Sequence, residues 1–472
     1  MRLGKVRLIF LLALSSFVSV AVLLAFHIYT KIAPSFLALD FFSGDSTLGI
    51  GFLIAVIAVL AILQISMVSM VRIRNCSVPV LCYFMKKGVH FRFLKAVIFC
   101  FLTCMISFLM GLSLGGEAPS VFMSAVIFAY VFSFSEESEE RLLRAIKVGS
   151  CVGFSLAFMN PIAGILYSFV PDKFEKGYFK KEYKPIIEGV VCALVSYFLY
   201  GALKGLIFYG DYEGAFYKAF LFSDFQSSVL NLSIASLKRF WIPFLIAPLS
   251  MLCGYLYVHG LGFLRRLLWK EKGITYVFSV LGAIVLIPLC RYYSPLSLGG
   301  GAKIIEENAS LLANGLAGVA ILFAIRLGMT AFSLTSHFSG GNIIPSLAIG
   351  MLLGTILGGL LKLALPLSEE ELTLISFCFM LSFFSATSNK RLSVFALTIS
   401  FGPSPSLVLS LLPSLALSYL CKRKLKSFKS LSNVFAASDI SNSSYARTLW
   451  RHYPYCSPMF EEVWERRVLD LK

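Results

Sequence analysis

Two short segments, Gly115-Gly116-Glu117-Ala118-Pro119-Ser120 and Gly340-Gly341-Asn342-Ile343-Ile344-Pro345-Ser346, repeat one arrangement of residues. In each, a pair of glycines precedes a proline suited to the first turn of a helix, and apolar sequence follows, 121–131 in one case and 347–361 in the other. A glycine-rich turn at a helix start presents backbone N–H groups with no intrahelical partner, and the helix dipole adds positive potential at the same place. The chemistry this predicts is reversible binding of an anion. Glu117 is the one ionisable side chain in either segment, set among Leu112, Leu114 and Val121. An acid at such a position is costly in a bilayer and is a functional candidate by default. Taken on residues alone, two readings stand level. Glu117 is a gate whose carboxylate competes with an anion for the same N–H groups, or it is a capping glutamate stabilised by the helix dipole.

The elements that must position these segments are membrane helices. Mean hydropathy is +0.81, and 58% of residues are hydrophobic against 14% charged, a balance far from that of a soluble domain. Apolar runs that span or nearly span a bilayer recur along the whole chain, from 8–28 and 48–71 to 343–361 and 392–420. Several, such as 121–131, are too short to cross and are bounded by Gly or Pro, which predicts helices that enter only partway. The first run follows Arg2, Lys5 and Arg7, exceeds the length of a signal-peptide core and lacks a clear small-residue cleavage site, so it reads as a retained helix. The net charge of +17 has a membrane explanation, since Lys and Arg gather between the runs and at both ends. That distribution disfavours nucleic acid as a partner. It also predicts an even number of crossings, with both termini cytoplasmic, in a plasma or bacterial inner membrane.

Two landmarks recur at nearly the same offset. Gly116 and Gly341 are 225 positions apart, and Asn160 and Asn389 are 229 apart. An ancient duplication leaves such a record, and halves inserted with opposite topology would bring their helix starts to one place near the bilayer centre. Chance recurrence of Gly-Gly before Pro accounts for the offset equally well. The predicted organisation is a first membrane repeat over 1–230, a second over 231–420, and a basic C-terminal segment over 421–472 without a regulatory domain; residues 209–231 join the halves. The eleven cysteines contain no CxxC pair, and the five histidines are dispersed, so no metal or other cofactor is expected. Cys100 and Cys104 read as small core residues. His337-Phe338-Ser339 sets a serine two residues from a histidine. A base that close in sequence to its nucleophile lacks usable geometry, which disfavours an intramembrane protease.

These residues carry a resemblance to the CLC family of chloride channels and chloride/proton exchangers. Gly115-Gly116-Glu117-Ala118-Pro119 is similar to the family's GREGP segment, Gly340-Gly341-Asn342-Ile343-Ile344-Pro345 to GGxFxP, and Met159-Asn160-Pro161-Ile162-Ala163-Gly164-Ile165-Leu166 to NAPLAGILF. Gly299-Gly300-Gly301 resembles the glycine cluster before the second half's core. Asn75-Cys76-Ser77-Val78-Pro79 sits where the family has GSGIP, and the 38 positions from Pro79 to Glu117 fit the family pattern. The resemblance implies an all-α polytopic protein of two inverted-topology halves, whose partial, re-entrant helices meet near the bilayer midplane. It implies chloride as the cargo, protons as a second one in the exchangers, and a homodimer with one pathway per subunit. It also implies a chloride shell made by backbone N–H groups around Gly116, Glu117, Ala118, Asn342 and Ile343, with Cys76 or Ser77 and a C-terminal tyrosine, best matched by Tyr445, completing it. Glu117 takes the part of the gate.

The departures from the family pattern are specific. Where the GSGIP serine belongs stands Cys76, or Ser77 after a shift of one residue, and a thiol is a weaker donor than a hydroxyl. Ile343 replaces a phenylalanine, a tolerable change where the backbone does the binding. Exchangers of the family carry an internal glutamate after the NAPLAG-like segment; here that position falls on Val170 or Pro171, with Asp172 adjacent. The expectation is therefore chloride movement that is channel-like or loosely proton-coupled. A strict chloride/proton antiporter, or a carrier of fluoride or nitrate, is the alternative.

Overall fold

The computed structural model describes residues 2–37, 47–71, 78–79, 81–82, 93–134, 138–170, 178–208, 241–268, 272–312, 315–388, 392–394, 396–397, 412 and 416. Of the residues named above, Asn75, Cys76, Ser77, Pro171, Asp172, Asn389 and Tyr445 lie outside this set, as do the proposed boundaries at 230 and 420, the 209–231 segment and the 421–472 segment. The first half contributes α1 (Arg2–Leu37), α2 (Thr47–Val71), α3 (Phe93–Leu109), α4 (Glu117–Ser133), α5 (Glu139–Ala157), α6 (Pro161–Phe169) and α7 (Tyr178–Phe208). The second contributes α8 (Trp241–Leu268), α9 (Lys272–Tyr293), a 3-10 turn at Pro295–Ser297, and the short α10 (Ala302–Glu306) and α11 (Asn308–Leu311). It continues with α12 (Gly315–Thr335), α13 (Ile343–Ala364) and α14 (Glu369–Ser388). Among the described residues, eight helices are long and apolar enough to cross a bilayer: α1, α2, α7, α8, α9, α12, α13 and α14. The protein is a multi-pass integral membrane protein, all-α, with α3 and α4 as the shorter apolar helices.

Local chemistry sets several helix starts. Asn160 caps α6, its Oδ1 accepting from the Ala163 N–H at 3.0 Å, with Pro161 in the first helical position. At α14, Ser368 and Glu371 satisfy each other's backbone N–H groups, at 2.9 and 3.2 Å, and a run of three glutamates faces the positive end of the dipole. The starts of α4 and α13 differ: neither Gly116 nor Asn342 offers a side-chain cap, so their first N–H groups are left for something else.

The two halves repeat one packing unit. In the first, α4 lies against α5, and Gly149 and Gly153 on α5 admit the α4 backbone. A Cβ on Gly149 would sit 2.6 Å from the Ser124 carbonyl, and one on Gly153 would sit 2.7 Å from the Ser120 carbonyl. In the second, α13 lies against α14, and the glycines are Gly350 and Gly354 on α13; a Cβ on Gly354 would sit 2.7 Å from Ser376 Cα. Lipid tails are as apolar as a leucine side chain, so hydrophobicity does not drive helix association in a bilayer and close backbone approach takes its place. The pairs α4–α5 and α13–α14 form the buried centre, and α1, α3, α7, α8 and α12 pack around them. The two Gly-Gly segments meet in space, and the segment at Asn160 packs on residues 393 and 396. Gly115 pairs with Gly341, Asn160 Nδ2 donates to the Ala396 carbonyl at 2.8 Å, and Ser393 Oγ donates to the Ala163 carbonyl at 3.1 Å.

Because the α4–α5 contact is backbone against backbone, Gly153→Val has no side chain to displace. The variant should lose at least about 2 kcal/mol of stability, seen as a lower melting temperature of detergent-solubilised protein, whereas Gly260→Ala, with nothing near its Cβ, should melt like the parent. Equal melting of the two variants would mean that the glycine contact is not what holds the pair.

Candidate functional site

The site begins with two backbone hydrogen bonds. Gly115 N–H donates to the Gly341 carbonyl at 2.8 Å, and Gly341 N–H donates to the Gly115 carbonyl at 2.6 Å, an antiparallel bridge one residue long on each side. The glycines of both motifs have ordinary negative φ; left-handed glycines are found elsewhere, at Gly111, Gly299, Gly301 and Gly315. Their purpose is space. A Cβ on Gly341 would fall 2.9 Å from the Gly115 carbonyl and 3.0 Å from Ala118 N, one on Gly340 would fall 2.6 Å from Leu114 Cβ, and one on Gly115 would strike the Glu117 carboxylate. Gly116 is the exception, since a Cβ there would only touch Phe26 at 3.4 Å.

The bridge brings the starts of α4 and α13 together. It thereby gathers Gly116, Glu117 and Ala118 from one half with Asn342 and Ile343 from the other, five of the residues the motifs single out. The Glu117 side chain folds back toward Gly115, and the backbone donors acting on its carboxylate are its own N–H and that of Ile344. Its Oε2 is closed off from solvent and has no hydrogen-bond partner. A carboxylate thus stands where the first turn of the opposite helix presents its N–H groups.

The loop before α4 is locked to the second half by further contacts. Ser113 Oγ and Thr330 Oγ1 are 2.6 Å apart, Ser113 N–H donates to Ser333 Oγ at 3.1 Å, and Gly299 N–H donates to the Gly111 carbonyl at 2.8 Å. The Gly299–Gly301 turn borders the same place: a Cβ on Gly300 would lie 3.2 Å from the Leu114 carbonyl and 3.8 Å from Ile344 Cγ2. Behind that turn is Arg326 of α12, fully buried, its Nη1 donating to the carbonyls of Ser297 at 2.8 Å and Leu298 at 3.3 Å. His337 and Ser339 do not form a catalytic pair. The histidine ring lies against Tyr276, with centroids 4.4 Å apart, and its Nδ1 is 3.5 Å from Ser279, while the Ser339 N–H donates to Ser107.

Sequence reasoning missed Ile344, Arg326 and the polar group around His27. Ile344 follows Ile343 and is indistinguishable from it in type. Arg326 carried a usable signal, a cation in the middle of an otherwise apolar 21-residue helix. His27 carried the same signal inside the first apolar run.

The paired, glycine-rich helix starts, with a carboxylate between them, lie at the buried centre of a multi-pass membrane protein. The voltage gated chloride channel family matches residues 77–423, and the chain belongs to that family, the CLC channels and transporters. It is a transporter or channel of that family and not an enzyme. Among solved structures the chain is similar to a slow cyanobacterial Cl−/H+ antiporter, at 16% identity over 93% of this chain and 96% of that one, with a TM-score of 0.73. It is also similar to a CLC-type fluoride/proton antiporter, at 16% identity over 92% and 98% of the two chains, TM-score 0.67. A eukaryotic CLC transporter gives 13% identity over 93% and 75%, TM-score 0.67. At these identities the likeness is one of fold.

Proposed function

We propose that the protein carries chloride across a membrane through the paired starts of α4 and α13, that Glu117 gates this path, and that movement is channel-like or loosely coupled to protons. The observation that carries the reading is the Glu117 carboxylate itself, set against the N–H groups of Glu117 and Ile344. A carboxylate is an anion on a tether. While ionised it occupies the donors that chloride needs, and chloride competes with it for them. Once protonated it no longer has a charge to offer the two helix dipoles, so it leaves and chloride enters. Neutral donors suit transport, because dipoles offset the loss of hydration yet release the ion, whereas a cation in direct contact would hold it.

Backbone N–H groups of Gly116, Ala118, Asn342 and Ile343 complete the proposed shell, with Cys76 or Ser77 and Tyr445 as its remaining donors. Both termini are cytoplasmic in this reading, the membrane is a plasma or bacterial inner membrane, and the protein works as a homodimer. A strict chloride/proton antiporter is the second reading, and the fold likeness to a Cl−/H+ antiporter supports it; the likeness to a fluoride/proton antiporter keeps fluoride among the ions to test. Against strict coupling stands the sequence at 170–172, where Val170 and Pro171 cannot hold a proton and only Asp172 can.

The sign of the pH dependence follows from the gate. Flux of chloride from proteoliposomes should rise as pH falls, because protonation clears the site, and Glu117→Gln should be open and nearly flat in pH. A Glu117→Gln protein that folds and keeps the parent's pH profile removes Glu117 from the mechanism. Coupling is read separately, by imposing a chloride gradient on sealed proteoliposomes and recording internal pH. Weak or absent uphill proton movement is expected. Sustained movement at a fixed chloride-to-proton ratio, abolished by Asp172→Asn, would establish strict antiport instead.

A further inference from the structure

One run of polar contacts ties α1, α4 and α7 together beside the gate. His27 of α1 has Nδ1 2.8 Å from the Tyr200 hydroxyl of α7 and Nε2 2.8 Å from Ser120 Oγ of α4. Ser120 Oγ in turn lies 2.8 Å from the Gly116 carbonyl. Ser120 and Tyr200 are buried, and Phe26 and Tyr200 pack against the imidazole with ring centroids 5.9 and 5.7 Å away. The directions follow from what each atom is able to do. A carbonyl oxygen only accepts, so the Ser120 proton points at Gly116. The Ser120 oxygen then accepts from the ring, which puts the imidazole proton on Nε2; Nδ1, left as an acceptor, takes the Tyr200 proton. The charged side chains facing the ring are Lys31 of α1 and Lys204 of α7, and the neutral ring is the form this pattern of donors uses.

The far end of the run is what gives it consequence. A peptide unit is planar, and its C=O and N–H point in opposite directions. The Gly116 carbonyl and the Glu117 N–H belong to one such unit, so whatever holds the carbonyl also aims the N–H. The helix supplies one bond to that carbonyl, from Ser120 N–H at 3.0 Å. The Ser120 hydroxyl supplies a second, and His27 decides where that hydroxyl points. The N–H being aimed is one of the two backbone donors acting on the Glu117 carboxylate.

We propose that His27 is a positioning residue of the anion site: through Ser120 it fixes the Gly116–Glu117 peptide and so aims the N–H that receives either chloride or the gating carboxylate. This rests on the reading of the paired helix starts as the chloride site. A histidine that merely glues three helices would, when removed, lower the yield or melting temperature and leave the chloride dependence of the remaining folded protein unchanged.

The test measures chloride flux against chloride concentration for the full-length protein in liposomes, normalised to folded protein. His27→Leu should raise the half-saturating chloride concentration about tenfold, the effect of losing one well-aligned hydrogen bond to an anion, with little change in maximal flux. Ser120→Ala should do the same, and the double variant should be no worse than either single one, because both cut one chain of contacts. His27→Gln, whose amide supplies a donor and an acceptor, should recover most of the affinity. Should His27→Leu fail to fold, Tyr200→Phe takes its place: it frees the ring to change tautomer and should shift half-saturation in the same direction. Unchanged half-saturation in the folded variants, or fully additive effects in the double one, overturns the proposal. The two claims separate cleanly. If Glu117→Gln keeps the parent's pH profile while His27 and Ser120 remain coupled in chloride affinity, the gate is lost and the positioning role stands; the converse result removes His27 and leaves the gate.

Discussion

Two backbone hydrogen bonds between Gly115 and Gly341 bring the positive ends of α4 and α13 face to face. Each helix start carries the equivalent of roughly half a positive charge, and in a low-dielectric surround two such ends repel unless something negative lies between them. A carboxylate or a small anion meets that need, and Glu117 is positioned to supply the first. The pairing leaves no room for side chains at Gly115, Gly340 or Gly341, whose φ angles are negative, so glycine serves space there. The glycine contacts of α4 with α5 and of α13 with α14 then hold each helix so that its start stays at the bridge.

Around this centre the polar groups fall into two kinds. Those at the helix starts are neutral backbone donors, suited to an ion that must leave again. The fixed cation, Arg326, is set back behind the Gly299–Gly301 turn and is anchored by the carbonyls of Ser297 and Leu298. Its charge adds to the positive potential at the rim of the site, while the turn stands between it and the paired helix starts. The loop from Met110 to Gly116 is fixed from the second half through Thr330, Ser333 and Gly299, so neither half builds the site alone.

Much of this was legible because it depends on residue type at fixed spacing. Glycine before proline marks a helix start, and Glu117 is conspicuous among apolar neighbours. The membrane helices follow from hydropathy with little ambiguity. What the sequence could not convey is which residues of different segments meet. Nothing in the spacing of His27, Ser120 and Tyr200 puts Ser120 and Tyr200 each 2.8 Å from the His27 ring, and Ile344 could not be preferred to Ile343 without knowing where the carboxylate of the other half would lie.

The most direct test of the account is to locate the ion. Crystals of the protein grown in bromide, a chloride substitute with an anomalous X-ray signal, should give a peak within hydrogen-bond distance of the Ile343 and Ile344 N–H groups, stronger in Glu117→Gln, where the charged competitor is gone. Bromide found only elsewhere, with the paired helix starts empty in both proteins, would contradict the claim that they form the anion pathway.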